Sequence, residues 1–211
     1  MNYSISKEFK IAMDKERAKE VELKDVIGFY FNNDIKTEKF ITKCLEQKKT
    51  RLMLNRLQWF VELSDHQNYD NVKVFFLIAM AETNIKLRDN RFEESDKQME
   101  DATTFFNTFS TENKNILTDN FFTLGECLNK KPFYFEDIVD ILINVRHAVV
   151  HGKNHYSFKF HNGNESFVNL VSGVVGGKNN KKDIKYNLTL TYDCFKKIMV
   201  SEAIKNIEKC F

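Results

Sequence analysis

The chain predicts a mainly α fold: a helical bundle with a small antiparallel β insertion before its C-terminal helix. Three observations carry that expectation. Apolar residues recur at spacings of three and four through residue 151. Strict apolar–polar alternation replaces that period only after Gly152. One proline, Pro132, leaves the helical stretches uninterrupted.

Residues 1–33 read as an N-terminal segment packing on the body, with a charged helix from Lys7 to Lys24 and Val26–Phe31 as a short strand or helix. The body, 34–211, opens with an amphipathic helix from Asp34 to about Ser64, broken near Lys48-Lys49. Asp70 or Asn71 caps a second helix to about Leu87, whose run VFFLIAMA is apolar all round, as a central buried helix requires. Ser95-Asp96-Lys97-Gln98 fits a capping box opening a third helix. Residues 113–130 read as a fourth, with Phe121, Phe122, Leu124 and Leu128 on its apolar face. Pro132 sets up a helix from about Phe135 to His151, and Gly152 stands where a left-handed cap belongs. The β insertion spans about 155–192. Tyr156, Phe158 and Phe160 alternate in one strand, Phe167–Val175 forms the return strand, 176–180 is a loop, and Ile184 to Tyr192 is a third strand. Asp193 caps the last helix.

At 211 residues the chain can bury one sizeable core. A formal net charge of +2 does not announce a nucleic-acid binder. Charge is local: from Arg146 to Lys185 seven basic residues face only Glu165 and Asp183. A solvated lysine-rich loop explains the 178–185 run equally well. Cys44, Cys127, Cys194 and Cys210 lie far apart without a C-x-x-C pair, which speaks for reduced thiols in the cytoplasm rather than a zinc knuckle or disulfide scaffold. The N-terminus lacks the apolar core of a signal peptide, and the longest apolar run is too short to span a bilayer, so no membrane partner is expected.

The chemistry gathers at Arg146-His147-Ala148-Val149-Val150-His151-Gly152. A guanidinium and two imidazoles stand where the pattern wants aliphatic side chains. Such groups bind a phosphodiester and move protons near neutral pH. On a helix His147 and His151 project about 40° apart, whereas Arg146 lies about 140° from His151. All three border one cleft only if another surface, such as a second subunit, closes over it. Plainer readings compete. His151 can bond the last carbonyls of its helix, and Arg146 can form a structural ion pair with Glu82 or Asp140. Glu82 is equally a buried structural partner or an orienting acid. The i, i+4 histidines also match a zinc pair, without the Glu of H-E-x-x-H or an obvious third ligand. Tyr156, Phe158 and Phe160, interleaved with Lys159 and His161, either stack bases or form one buried face, and the buried face is the default.

The segment Ile141–Gly152 resembles the R-x4-6-H signature of HEPN domains, specifically over 138–152 and by layout over about 35–211. Ala79-Met80-Ala81-Glu82 resembles the apolar helix with a single acid found in many such proteins. The likeness is nearest to larger bacterial members with extra strands after the motif. Two positions depart: His147 replaces the usual Asn, and Lys153 replaces the Tyr of one toxin branch. The resemblance implies a metal-independent endoribonuclease without cofactors, usually a homodimer, in which the 2′-OH of RNA attacks the adjacent phosphate. Its site would comprise Arg146, His147 and His151, supported by Glu82, with Lys153 and Lys159 toward RNA. It implies a toxin or antiviral-defence effector, restrained by an unidentified inhibitor or antitoxin. The alternatives are a non-catalytic module binding nucleotide, RNA or protein, and a metal-dependent hydrolase using His147 and His151.

Overall fold

The computed structural model describes residues 20–91, 97–123, 131–151, 157–163, 167–175 and 178–211. Among these it contains eight helices: α1 (Glu20–Phe31), α2 (Asp34–Glu46), α3 (Lys48–Asp65), α4 (Asp70–Arg88), α5 (Gln98–Asn107), α6 (Thr111–Asn120), α7 (Phe135–His151) and α8 (Tyr192–Glu208). Strands β1 (Phe121–Thr123), β2 (Lys131–Pro132), β3 (Asn169–Val175) and β4 (Lys178–Leu188) form one antiparallel sheet in the order β2-β1-β4-β3. The protein is therefore mainly helical with a small antiparallel sheet. Among the described residues no helix is long and apolar enough to cross a membrane.

Helix α4 is the axis of the bundle. It packs against α3, α5, α7 and α8, and Val74, Leu77, Ile78, Met80, Ala81 and Ile85 are all buried. An all-round apolar sequence has no stable place except the centre. The break between α2 and α3 falls at Gln47, whose backbone is extended, and the buried Thr50 hydroxyl donates to Cys44 O at 2.8 Å across it. Helix α1 is docked on the body through Leu23 and Ile27, both fully buried.

Several local expectations are corrected. Asp70 does not cap α4: Tyr69 holds the N-cap position without a side-chain bond, and the Asp70 carboxylate accepts from Phe160 N at 3.0 Å. Asn71 Oδ1 accepts only from the adjacent Val72 N. The expected helix 113–130 stops at Asn120, which takes Thr189 N on its backbone oxygen and Thr189 Oγ1 on its side chain. Phe121 then enters a strand opposite Leu188 and stacks on the buried Tyr186. Aromatic residues suit a pleated, half-buried surface at least as well as a helix. Leu124 and Leu128 lie outside the described residues.

The segment around Phe158 is not a strand: Ser157 makes an isolated bridge to Leu170, while Phe158 and Phe160 are both buried. Lys178–Asn180, expected in a loop, pair with Gly173–Val175. β4 ends at Leu188, so the strand expected to reach Tyr192 is shorter. Thr191, rather than Asp193, caps α8 by accepting from Cys194 N. The sheet also recruits Phe121–Thr123 and Lys131–Pro132 from outside the expected insertion.

Candidate active site

Helix α7 runs from Phe135 to His151, as its period predicts. Ile138, Ile141, Leu142, Val145 and Ala148 bury one side against the core. Asp140, Asn144, His147, Val150 and His151 lie along the outer side, half-buried to exposed. Val150 is 50 % exposed, and His151 is exposed at the helix end. The His147 and His151 rings meet with centroids 4.1 Å apart and planes tilted by 46°. Their i, i+4 spacing therefore does bring them together.

Arg146 turns the other way, into a cleft between α4 and α5. Its Nε lies 3.0 Å from Glu82 Oε1, and Nη2 donates to Glu82 Oε2 at 3.2 Å and to Gln98 Oε1 at 2.7 Å. Both side chains of the ion pair are nearly covered, 12 % exposed for Arg146 and 10 % for Glu82. The structural ion pair weighed for Arg146 thus exists, with Glu82 as its acid. The pair is imperfectly bonded, since Glu82 Oε1 and Arg146 Nε are buried without a hydrogen bond of good geometry. Burial drives the Glu82 carboxyl up to about 7, more than Arg146 pulls it down, and Asp101 nearby pushes it further up. Asp101 is itself buried and held by Arg91.

The sequence places Gln98 only as the last residue of a capping box. Lys97 stands at the N-cap position of α5 without a side-chain cap bond, and Ser95 and Asp96 lie outside the described residues. The Gln98 amide instead accepts from Arg146. Gln at an exposed first helical turn carries no local sign of such a role, because its partner stands 48 residues away.

Lys153, expected toward RNA, lies outside the described residues, as do Gly152, His155 and Tyr156. Lys159 is exposed, with its Nζ 4.7 Å above the Phe167 ring. It lines a groove of about 420 Å³ shared with the start of α4, rather than the Arg146 cleft. Among the described residues no three His, Cys, Asp or Glu side chains gather to hold a metal, so the His147–His151 pair has no third ligand there. Comparison of the chain with known protein families, with characterised proteins and with solved structures returned no match.

Proposed function

We propose that this protein is a metal-independent endoribonuclease of the HEPN type, acting as a homodimer in the cytoplasm as a toxin or antiviral-defence effector. The observation that carries this reading is the contact of two imidazoles, 4.1 Å apart, at the open end of α7, the helix that also carries Arg146. In-line cleavage of RNA needs one base and one acid within reach of the same phosphate. Neutral His151 takes the proton of the 2′-OH as that oxygen attacks the adjacent phosphorus. The bond to the 5′-oxygen breaks, and a protonated imidazole, from His147 or from a second copy, donates to the leaving oxygen. The products are a 2′,3′-cyclic phosphate and a free 5′-hydroxyl. DNA lacks the nucleophile and is not cut.

Arg146 supports the charge gained on the phosphoryl oxygens. Arg146 faces inward in each copy, so a second copy supplies a closing surface: the outer face of α7, with the exposed Val150 beside both histidines, suits a two-fold contact that closes over the motif. Glu82 and Gln98 hold the guanidinium in place. The near-complete burial of the Glu82–Arg146 pair favours a second reading, in which Arg146 is structural and the chain only binds RNA or a partner.

Purified protein mixed with total RNA in EDTA separates the readings. The ribonuclease produces fragments ending in 2′,3′-cyclic phosphate in the chelator. Loss of cleavage in EDTA would favour the metal-dependent hydrolase built on His147 and His151. RNA bound without cleavage would favour the binding module.

A further inference from the structure

The groove beside Lys159 lies apart from the motif and is used by neither the ion pair nor the histidines. One wall is the start of α4, with Asn68, Tyr69 and Asn71. The other is the segment from Ser157 to Asn162, with Phe167. Its volume of about 420 Å³ is that of a small-ligand site.

Two features show that the groove is preformed. The segment 157–160 is pinned from below, because the fully buried Asn169 side chain accepts from Lys159 N at 2.8 Å and donates to Lys159 O at 3.1 Å. It is pinned from the side by Phe160 N donating to Asp70. Phe158 and Phe160 turn into the core from this fixed backbone, which leaves Lys159 facing out. Asp70 is also partly neutralised, with Lys73 Nζ 3.5 Å from its carboxylate.

The rim carries a side chain the fold does not need. Tyr69 is 73 % exposed at an N-cap position, where a short polar residue would serve the helix better. Phe167 opposite is half-buried under the Lys159 ammonium. Two aromatic rings and a lysine form the combination that takes an unpaired base and its phosphate. A base in a duplex has no free face to offer them.

We propose that this groove binds an unpaired nucleobase of a single-stranded nucleic acid, stacked against Tyr69 and Phe167 with its phosphate at Lys159. Ser157 is six residues from His151, and six residues reach at most about 20 Å. The groove and the motif are therefore no farther apart than a short single strand can bridge. The site rests on the ribonuclease reading for its natural ligand, single-stranded RNA, but not for its chemistry of binding.

The test uses the whole protein and a short fluorescein-labelled single-stranded DNA of mixed sequence, which the ribonuclease cannot cut. Fluorescence anisotropy is expected to give saturable binding, weakened on the order of tenfold in Tyr69→Ala and again in Phe167→Ala. Tyr69→Ala removes an exposed ring and leaves the core intact, so a loss there is not a loss of folding. The same sequence as a duplex should bind more weakly. Equal binding by wild type and both variants, equal binding of the duplex, or no binding at all would each overturn the site. A free mononucleotide that competes as well as the strand would overturn the strand as ligand. If single strands bind through Tyr69 and Phe167 while the protein cuts no RNA, the groove stands and the ribonuclease falls. The reverse result removes the groove alone.

Discussion

Two buried glutamates in this protein live in opposite circumstances. Glu202 on α8 is 1 % exposed, and one of its oxygens receives Ser110 N, Ser110 Oγ, Asn113 Nδ2 and Lys205 Nζ at 2.6–3.1 Å. Burial alone would raise its pKa, but the bonds from Lys205, Ser110 and Asn113 hold it below the ordinary value. Glu82 on α4 is 8 % exposed, has one arginine for a counter-ion, leaves Oε1 without a well-formed bond, and is pushed up to about 7. The same side chain is thus fully engaged in one place and incompletely bonded in the other. Fully bonded buried charges belong to scaffolds, while incompletely satisfied ones with shifted pKa values concentrate where a protein acts. The contrast supports, without reference to any family, the proposal that the protein acts beside the Glu82–Arg146 pair.

The largest expected effect is at the settled site. Glu202→Ala leaves Ser110 N and Asn113 Nδ2 without their acceptor and should cost about 3 kcal/mol in urea unfolding at pH 7. A cost near zero would remove the contrast at its firm end.

The two sites should also respond to pH with opposite sign. Glu202, with a lowered pKa in the folded state, contributes stability above its unfolded pKa that is lost as pH falls through the lowered value. Glu82, with a raised one, binds its proton more tightly folded than unfolded. Its contribution is full below about 4.5 and is lost as pH rises toward about 7. That decline is on the order of 1–3 kcal/mol. It should vanish in Glu82→Gln, whose amide oxygen can still accept from Arg146. Unfolding free energies measured across this window would contradict the account if wild type and Glu82→Gln kept the same slope.

Helix α7 was fully legible because core spacing and a terminal glycine agreed over seventeen residues. The end of α6 was not. Phe121 and Phe122 continue a helical apolar spacing, and only Asn120, bonded to Thr189 across 69 residues, stops the helix and turns the chain into the sheet. The Asp70 cap failed for a related reason, since a distant amide, Phe160 N, competes for its carboxylate. In the site, the i, i+4 rule was enough to join His147 with His151, whereas Glu82 stood out only through the likeness of its apolar helix to that of HEPN proteins. Gln98 was invisible because its role depends on how α5 docks beside α7, which no local pattern records. The Lys159 groove was half legible: the alternation of Phe158 and Phe160 points to a buried face, and both are buried, but the rim of Tyr69 and Phe167 is a tertiary outcome.

The most direct measurement compares RNA cleavage in EDTA by wild type, His151→Ala and Glu202→Gln, each at a temperature where circular dichroism shows it folded. His151 is exposed, so its removal should leave unfolding unchanged and lower the rate by about 10²-fold or more. Glu202→Gln should unfold more easily yet cut RNA at the wild-type rate. Wild-type cleavage by His151→Ala, with cleavage lost in Glu202→Gln, would contradict the assignment of chemistry to the open end of α7.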